Sequence, residues 1–203
     1  MHIADGVVSL PVLFASTAIA AGGVGIGLSK TDHRQIPQVA VLTAGFFIAS
    51  LIHIPVGPGQ VHLIMNGLTG IVLGWAAFPA LLVALFLQAL LFGYGGITVL
   101  GVNTVNMALP ALCCSYLFGP LLTRELSRRA TFMVAFAAGA IAVAASGTLL
   151  AATLYFSSRE FTGVATAILL AHLPVMIVEG VLTGSAVVFL KRVQPDFFTA
   201  NKR

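Results

Sequence analysis

Met1-His2-Ile3-Ala4-Asp5-Gly6 runs directly into VVSLPVLFASTAIAAGGVGIGL, residues Val7–Leu28. The second piece decides the fold. It is uncharged, apolar and long enough for one helix to cross a bilayer, which takes about 20 residues. It is too long and glycine-rich for the apolar part of a secretory leader, and no basic segment precedes it. No cleavable leader is therefore expected, and the six residues in front stay with the helix. They carry a compact set of nitrogen donors: the amine of Met1, and the amide and imidazole of His2. Amine and amide close a five-membered ring on a metal ion; amide and Nδ1 close a six-membered one. Fused rings of this size favour a planar, all-nitrogen arrangement, which suits Ni(II) or Cu(II) better than Zn, Mg or Ca.

Working outward, the rest of the chain has the same character. Of 203 residues, 59% are hydrophobic and 8% charged, with a mean hydropathy of +1.04. A water-exposed surface needs roughly 25% charged residues, so the fold class expected is an all-α integral membrane protein. Ten-residue alternating segments of the β-barrel kind are absent. The net charge of +4 does not point to nucleic acid, because the basic residues are scattered through short loops. Cys113 and Cys114 lie side by side in an apolar run, without the spacing of a zinc or redox site, and read as buried filler.

Seven spans are expected: about Val7–Leu28, Val39–Ile54, Val61–Gly74, Pro79–Tyr94, Val105–Leu121, Ala130–Phe156, and a last one that follows Pro174 and ends at Leu190. The stretch Thr162–Leu173 reads as a separate interfacial piece. Pro55–Gln60 reads as a tight uncharged turn, and Gly93–Asn103 as a polar linker folded back on protein. The whole chain, 1–203, is one transmembrane domain: 1–6 a metal-binding segment, 7–192 the helical bundle, 193–203 a cytoplasmic tail. With seven spans, Lys30, Arg34, Arg124, Arg128, Arg129, Lys191, Arg192, Lys202 and Arg203 share one side, and Arg159 alone takes the other. The positive side faces the cytoplasm, so the N-terminus is expected outside.

That topology gathers His2, His53, His62 and His172 in the outer half, leaving His33 in the cytoplasm. His62 follows the rigid turn and would add a fourth nitrogen to the plane of three. Asp5 is expected to cap the first helix or to accept an imidazole N–H. Glu179 is the one carboxylate placed within a span, a functional position by default, with His172, His53 or the linker as its expected partner. Asn66, Asn103 and Asn106 would bond irregular backbone or join helices.

Met1–Gly6, Val61-His62-Leu63-Ile64-Met65-Asn66-Gly67, Leu87-Gln88-Ala89-Leu90-Leu91-Phe92-Gly93 with Gly95-Gly96, Leu100-Gly101-Val102-Asn103, and Ala171-His172-Leu173-Pro174 with Glu179-Gly180 together resemble one family, in order and over nearly the whole chain. It is the CbiM/NikM family, the substrate-capturing membrane subunits of energy-coupling-factor transporters for cobalt and nickel. The resemblance implies a seven-helix fold whose N-terminal segment plugs inward, in a prokaryotic plasma membrane. It implies Met1, His2 and the histidine matching His62 as ligands of transported Ni2+ or Co2+, with no other cofactor. It implies as partners a coupling membrane subunit (CbiQ/NikQ-like), two cytoplasmic ATPases (CbiO/NikO-like) and a small CbiN/NikN-like subunit. The chain departs from some cobalt members in reading VHL around His62, and it has no appended small-subunit segment. A Walker A motif is absent, so ATP is left to the partners. Two rivals stand beside this reading. An intramembrane enzyme is disfavoured, because HExxH, GxSxG and facing Asp pairs are absent. A proton-coupled secondary carrier would use Glu179.

Overall fold

In a computed structural model, residues 2–56, 59–194 and 198 are described, with backbone alone for 53–56 and 59–61. The elements are α1 (Leu10–Lys30), α2 (Ile36–Ala49), β1 (His53–Val56), β2 (Gly59–His62), α3 (Asn66–Leu73), α4 (Ala77–Phe92), α5 (Leu100–Leu122), α6 (Arg128–Ser157) and α7 (Thr162–Val193). Five segments are long and apolar enough to cross a membrane: Leu10–Lys30, Asn66–Phe92, Leu100–Leu122, Arg128–Ser157 and Arg159–Val193.

Three expectations are corrected here. First, Val61-His62 does not begin a helix, and His53 does not end one. Both belong to an antiparallel hairpin in which His53 pairs with His62 and Val56 with Gly59. An apolar run of this length reads equally well as strand or helix, and the prolines and glycines at its centre tip it to the hairpin. Second, α7 runs unbroken through Pro174. One missing N–H does not end a helix that neighbouring helices support. Third, α2 has 14 residues and α3 only 8, so neither reaches the length of a span alone. Residues 57 and 58 of the expected turn, and most of the expected tail, lie outside the described residues.

The centre of the molecule is α3. Every residue from Asn66 to Val72 is buried, although the helix is too short to be stable alone. It stays in place because α5 and α6 approach it at contact distance. A Cβ at Gly67 would stand 2.7 Å from the Cα of Gly139 on α6, and one at Gly70 would overlap the backbone of Ala111 on α5. Alanines of α6, Ala135 and Ala138, close the same core together with Leu68, Ile71 and Val72. On α1, Ala20, Gly23 and Gly27 are buried, Gly23 against Phe78 and Gly27 against Trp75 and Pro79. The adjacent face carrying Ala21 and Gly25 is exposed. Cys114 is buried as expected, while Cys113 points out of the bundle.

The N-terminal segment is part of this packing. Ile3 is 4% exposed and sits in an apolar cluster with Val8, Val99, Val102, Leu150 and Leu154. Gly6, at φ 81°, takes the left-handed conformation that turns the chain from this segment towards α1.

Candidate metal centre

The two imidazoles singled out in the sequence meet. His2 Nδ1 and His62 Nε2 are 3.2 Å apart, and the rings stack at 4.8 Å between centroids with 28° between planes. Tyr94 also stacks on His2, at 6.0 Å between ring centroids. His62 is 4% exposed.

Their outer nitrogens fix where the protons are. His62 Nδ1 lies 2.9 Å from the carbonyl oxygen of Leu63, which can only accept. The neutral ring therefore carries its proton on Nδ1 and a lone pair on Nε2. His2 Nε2 lies 2.8 Å from Gln88 Oε1. Gln88 Nε2 in turn donates to Ser50 Oγ at 2.7 Å, and Ser50 Oγ donates to the carbonyl of Phe47 at 2.6 Å. Gln88 and Ser50 are fully buried. The chain of bonds ends on a backbone carbonyl at each side, so its direction is set: Gln88 Oε1 accepts, His2 Nε2 donates, and His2 Nδ1 keeps its lone pair. With both rings neutral, two lone pairs would face each other at 3.2 Å, and a cation between the rings, a metal ion or a shared proton, relieves that contact. Metal–nitrogen bonds of about 2.0–2.1 Å place neighbouring donors about 2.9 Å apart at a right angle and about 3.4 Å apart at a tetrahedral one. The pair fits two sites on one ion. Among the described residues no three His, Cys, Asp or Glu side chains converge, so further donors would have to come from elsewhere. Met1, the expected source of the amine, lies outside the described residues.

The site is posed from both ends of the chain. Asn103, near the start of α5, holds the backbone of Ile3 twice: Ile3 N donates to Oδ1 at 3.0 Å and Nδ2 donates to Ile3 O at 3.1 Å. Asp5 does neither of the things expected of it. Ser9 takes the cap position of α1, without a side-chain bond. The Asp5 carboxylate instead accepts from the Thr98 hydroxyl and from Val99 N at 3.3 Å, latching the segment to the loop before α5. Gly96 makes room for it, since a Cβ there would overlap the carboxylate.

Glu179 is likewise reassigned. It bonds none of its expected partners; its carboxylate accepts from Ile64 N and from Met65 N at 2.8 Å and 3.0 Å. Met65 has φ 49° and ψ 18°, a left-handed conformation costly for a side chain of its kind. Glu179 therefore holds the strained turn that joins His62 to α3. Asn66 joins helices, donating to Ser146 Oγ at 2.7 Å and to Met107 O at 3.4 Å, and Asn106 accepts from Thr153. His172 is buried on α7 and donates from Nδ1 to Ile168 O at 2.6 Å; no bond among the described residues joins it to His2 or His62. Of His53 the structure gives the backbone alone, opposite His62. Gln88, Ser50 and Tyr94 were missed as site residues. Gln88 was visible in the sequence as a polar residue in an apolar helix, but nothing there indicated its partner.

A mostly helical membrane bundle in which the half-buried His2 ring faces the buried His62 ring has nitrogen donors suited to a metal ion. The chain matches, over residues 2–197, the family model described as "CbiM: Cobalt uptake substrate-specific transmembrane region". It is similar to a protein of Haemophilus influenzae named for metal transport, with 37% identity over 97% of this chain and 96% of that one. It is 39% identical, over 53% of this chain and 33% of the other, to the fused nickel transport protein NikMN of Rhodobacter capsulatus. A crystal structure of a transition metal transporter superposes with a TM-score of 0.82 at 30% identity, covering 95% of this chain and 93% of that one. The chain belongs to the CbiM/NikM family of metal-transport membrane components. It is a multi-pass cell-membrane protein and a transport component, not a catalytic enzyme.

Proposed function

We propose that this chain captures Ni2+ or Co2+ at the outer face of the membrane, as the substrate-binding subunit of an ATP-driven energy-coupling-factor importer. The observation that carries the reading is the approach of two imidazole nitrogens, His2 Nδ1 and His62 Nε2, to 3.2 Å, with the outer ring nitrogens bonded to Gln88 Oε1 and Leu63 O. The Met1 amine and the His2 amide would complete a set of four nitrogens. Four nitrogens with fused small chelate rings favour a plane, and a plane favours nickel. Binding would displace water from the ion and release protons from the donors, so affinity falls as pH drops.

Five longer helices with α2 and α3 as shorter crossings, and the N-terminus outside, would account for the split of basic residues. Reorientation against a CbiQ/NikQ-like subunit would use the open Ala21/Gly25 face of α1, because the alanine-rich α6 is engaged inside the bundle. Two CbiO/NikO-like ATPases would supply the energy. A small NikN-like subunit is supported by the relative in which M and N parts are fused. A proton-coupled carrier through Glu179 gains no support, since that carboxylate is engaged by two backbone N–H groups.

The test is metal analysis and calorimetry on purified protein. Wild type should bind one Ni2+ or Co2+; His2→Ala, and protein with a blocked N-terminal amine, should lose stoichiometric binding while keeping the helical spectrum. Undiminished binding by either would remove the proposed site.

A further inference from the structure

At one end of the α6–α7 pair, far along α6 from its terminus at Ser157, lies a groove of about 1110 Å³. The first turn of α6 and the last turn of α7 line it together. It carries four of the ten Lys and Arg residues of the chain, Arg128, Arg129, Lys191 and Arg192, and no carboxylate among the described residues that line it. Below the cations the lining turns apolar, with Phe132, Met133 and Phe189. Met133 and Phe189 are 61% and 63% exposed, and each lies within about two helical turns of an arginine. Lys191 donates to the carbonyl of Arg124 at 3.0 Å, fixing the connection between α5 and α6 against the end of α7. The arrangement is layered: charge at the end of the helices, bare hydrocarbon immediately inward.

We propose that this groove is a binding site for an anionic phospholipid, with the phosphate among the arginines and the acyl chains along Met133 and Phe189. Three features favour this occupant. Four clustered cations with no carboxylate among the described lining residues favour an anion, and the N-terminus of α6 adds its own positive end. An anion with hydrocarbon directly attached accounts for the exposed apolar floor, which a soluble phosphate would leave uncovered. The groove also sits at the ends of two membrane-length helices, at the depth of headgroups, where basic pockets between helices hold such lipids. The bound lipid would clamp the two helices that carry Glu179 and the wall of the central core.

The full chain in detergent, with phosphatidylglycerol or phosphatidylcholine added, tests this by native mass spectrometry and thermal unfolding. Wild type should retain phosphatidylglycerol at least tenfold better than phosphatidylcholine and unfold at a higher temperature with it. Each cation near an anionic lipid strengthens binding about fivefold, so the triple variant Arg128→Gln, Arg129→Gln, Arg192→Gln should lose at least tenfold and lose the thermal shift. Lys191, which holds the fold, is left in place. A charge-matched triple, Lys30→Gln, Arg34→Gln, Arg159→Gln, should keep both. Equal retention of the two lipids by wild type, as expected if a protein partner fills the groove, would overturn the proposal. So would equal losses in the two triples, or an equal shift with inorganic phosphate alone.

Discussion

Gln88 does for His2 what a backbone carbonyl does for His62: it takes the proton of the outward nitrogen and leaves the inward one as a donor to metal. The direction comes from Phe47 O through Ser50. Gln88→Leu removes the acceptor, and loss of such an outer partner typically weakens metal binding 10–100-fold. Gln88→Glu still accepts from His2 Nε2 and should bind nearly as wild type. Calorimetric titration with Ni2+ separates the two variants; equal weakening of both would mean that packing, not proton placement, is what Gln88 supplies. At this scale the sequence was partly readable. His2 stood out because it adjoins a terminal amine, and His62 because a rigid turn precedes it. Gln88 could not be paired with either, since its role comes from a contact 86 residues away.

Among the elements, the hairpin and α3 decide whether His62 points at His2. Met65 adopts a conformation that costs about 1–2 kcal/mol for an ordinary residue, and the Glu179 carboxylate offsets it by accepting from two backbone N–H groups. Glu179→Ala leaves those groups buried and unbonded, at about 1–3 kcal/mol each. The expected outcome is a clearly lower unfolding temperature in detergent together with weakened metal binding. Unchanged stability would show that the turn holds itself. The position of Glu179 inside a span was legible, because a lone acid in an apolar run is conspicuous. Its partner was not: a carboxylate in a sequence does not reveal which N–H groups will reach it. The hairpin escaped for a related reason. Val61–Gly67 is mostly apolar, and its two polar residues, His62 and Asn66, are four apart, a spacing that suits a helix and hides the strand. The long helices α1, α4, α5 and α6 were readable because length alone separates them from strands.

For the whole molecule, α1 presents two small-residue faces with different fates. Ala20, Gly23 and Gly27 are spent on packing against the α3–α4 region, while Ala21 and Gly25 remain open. Gly25→Leu should therefore leave metal binding and stability unchanged in the isolated subunit, and should abolish metal-stimulated ATP hydrolysis once coupling and ATPase subunits are added. Full stimulation in the reconstituted complex would place the moving contact elsewhere. Composition and charge bias gave the class of molecule, but the reuse of one helix for two contacts became visible only when its neighbours were in place.

The bonds from Ile3 to Asn103 and from Ile64 to Glu179 join residues 100 and 115 positions apart. A ribosome making this polypeptide releases His2 first and His62 soon after, yet the turn that poses His62 lacks its carboxylate until the codon for residue 179 has been read and the last helix has docked. Nascent or prematurely terminated products are thus poor metal scavengers. Capture becomes possible only for a molecule that has been made almost to its end.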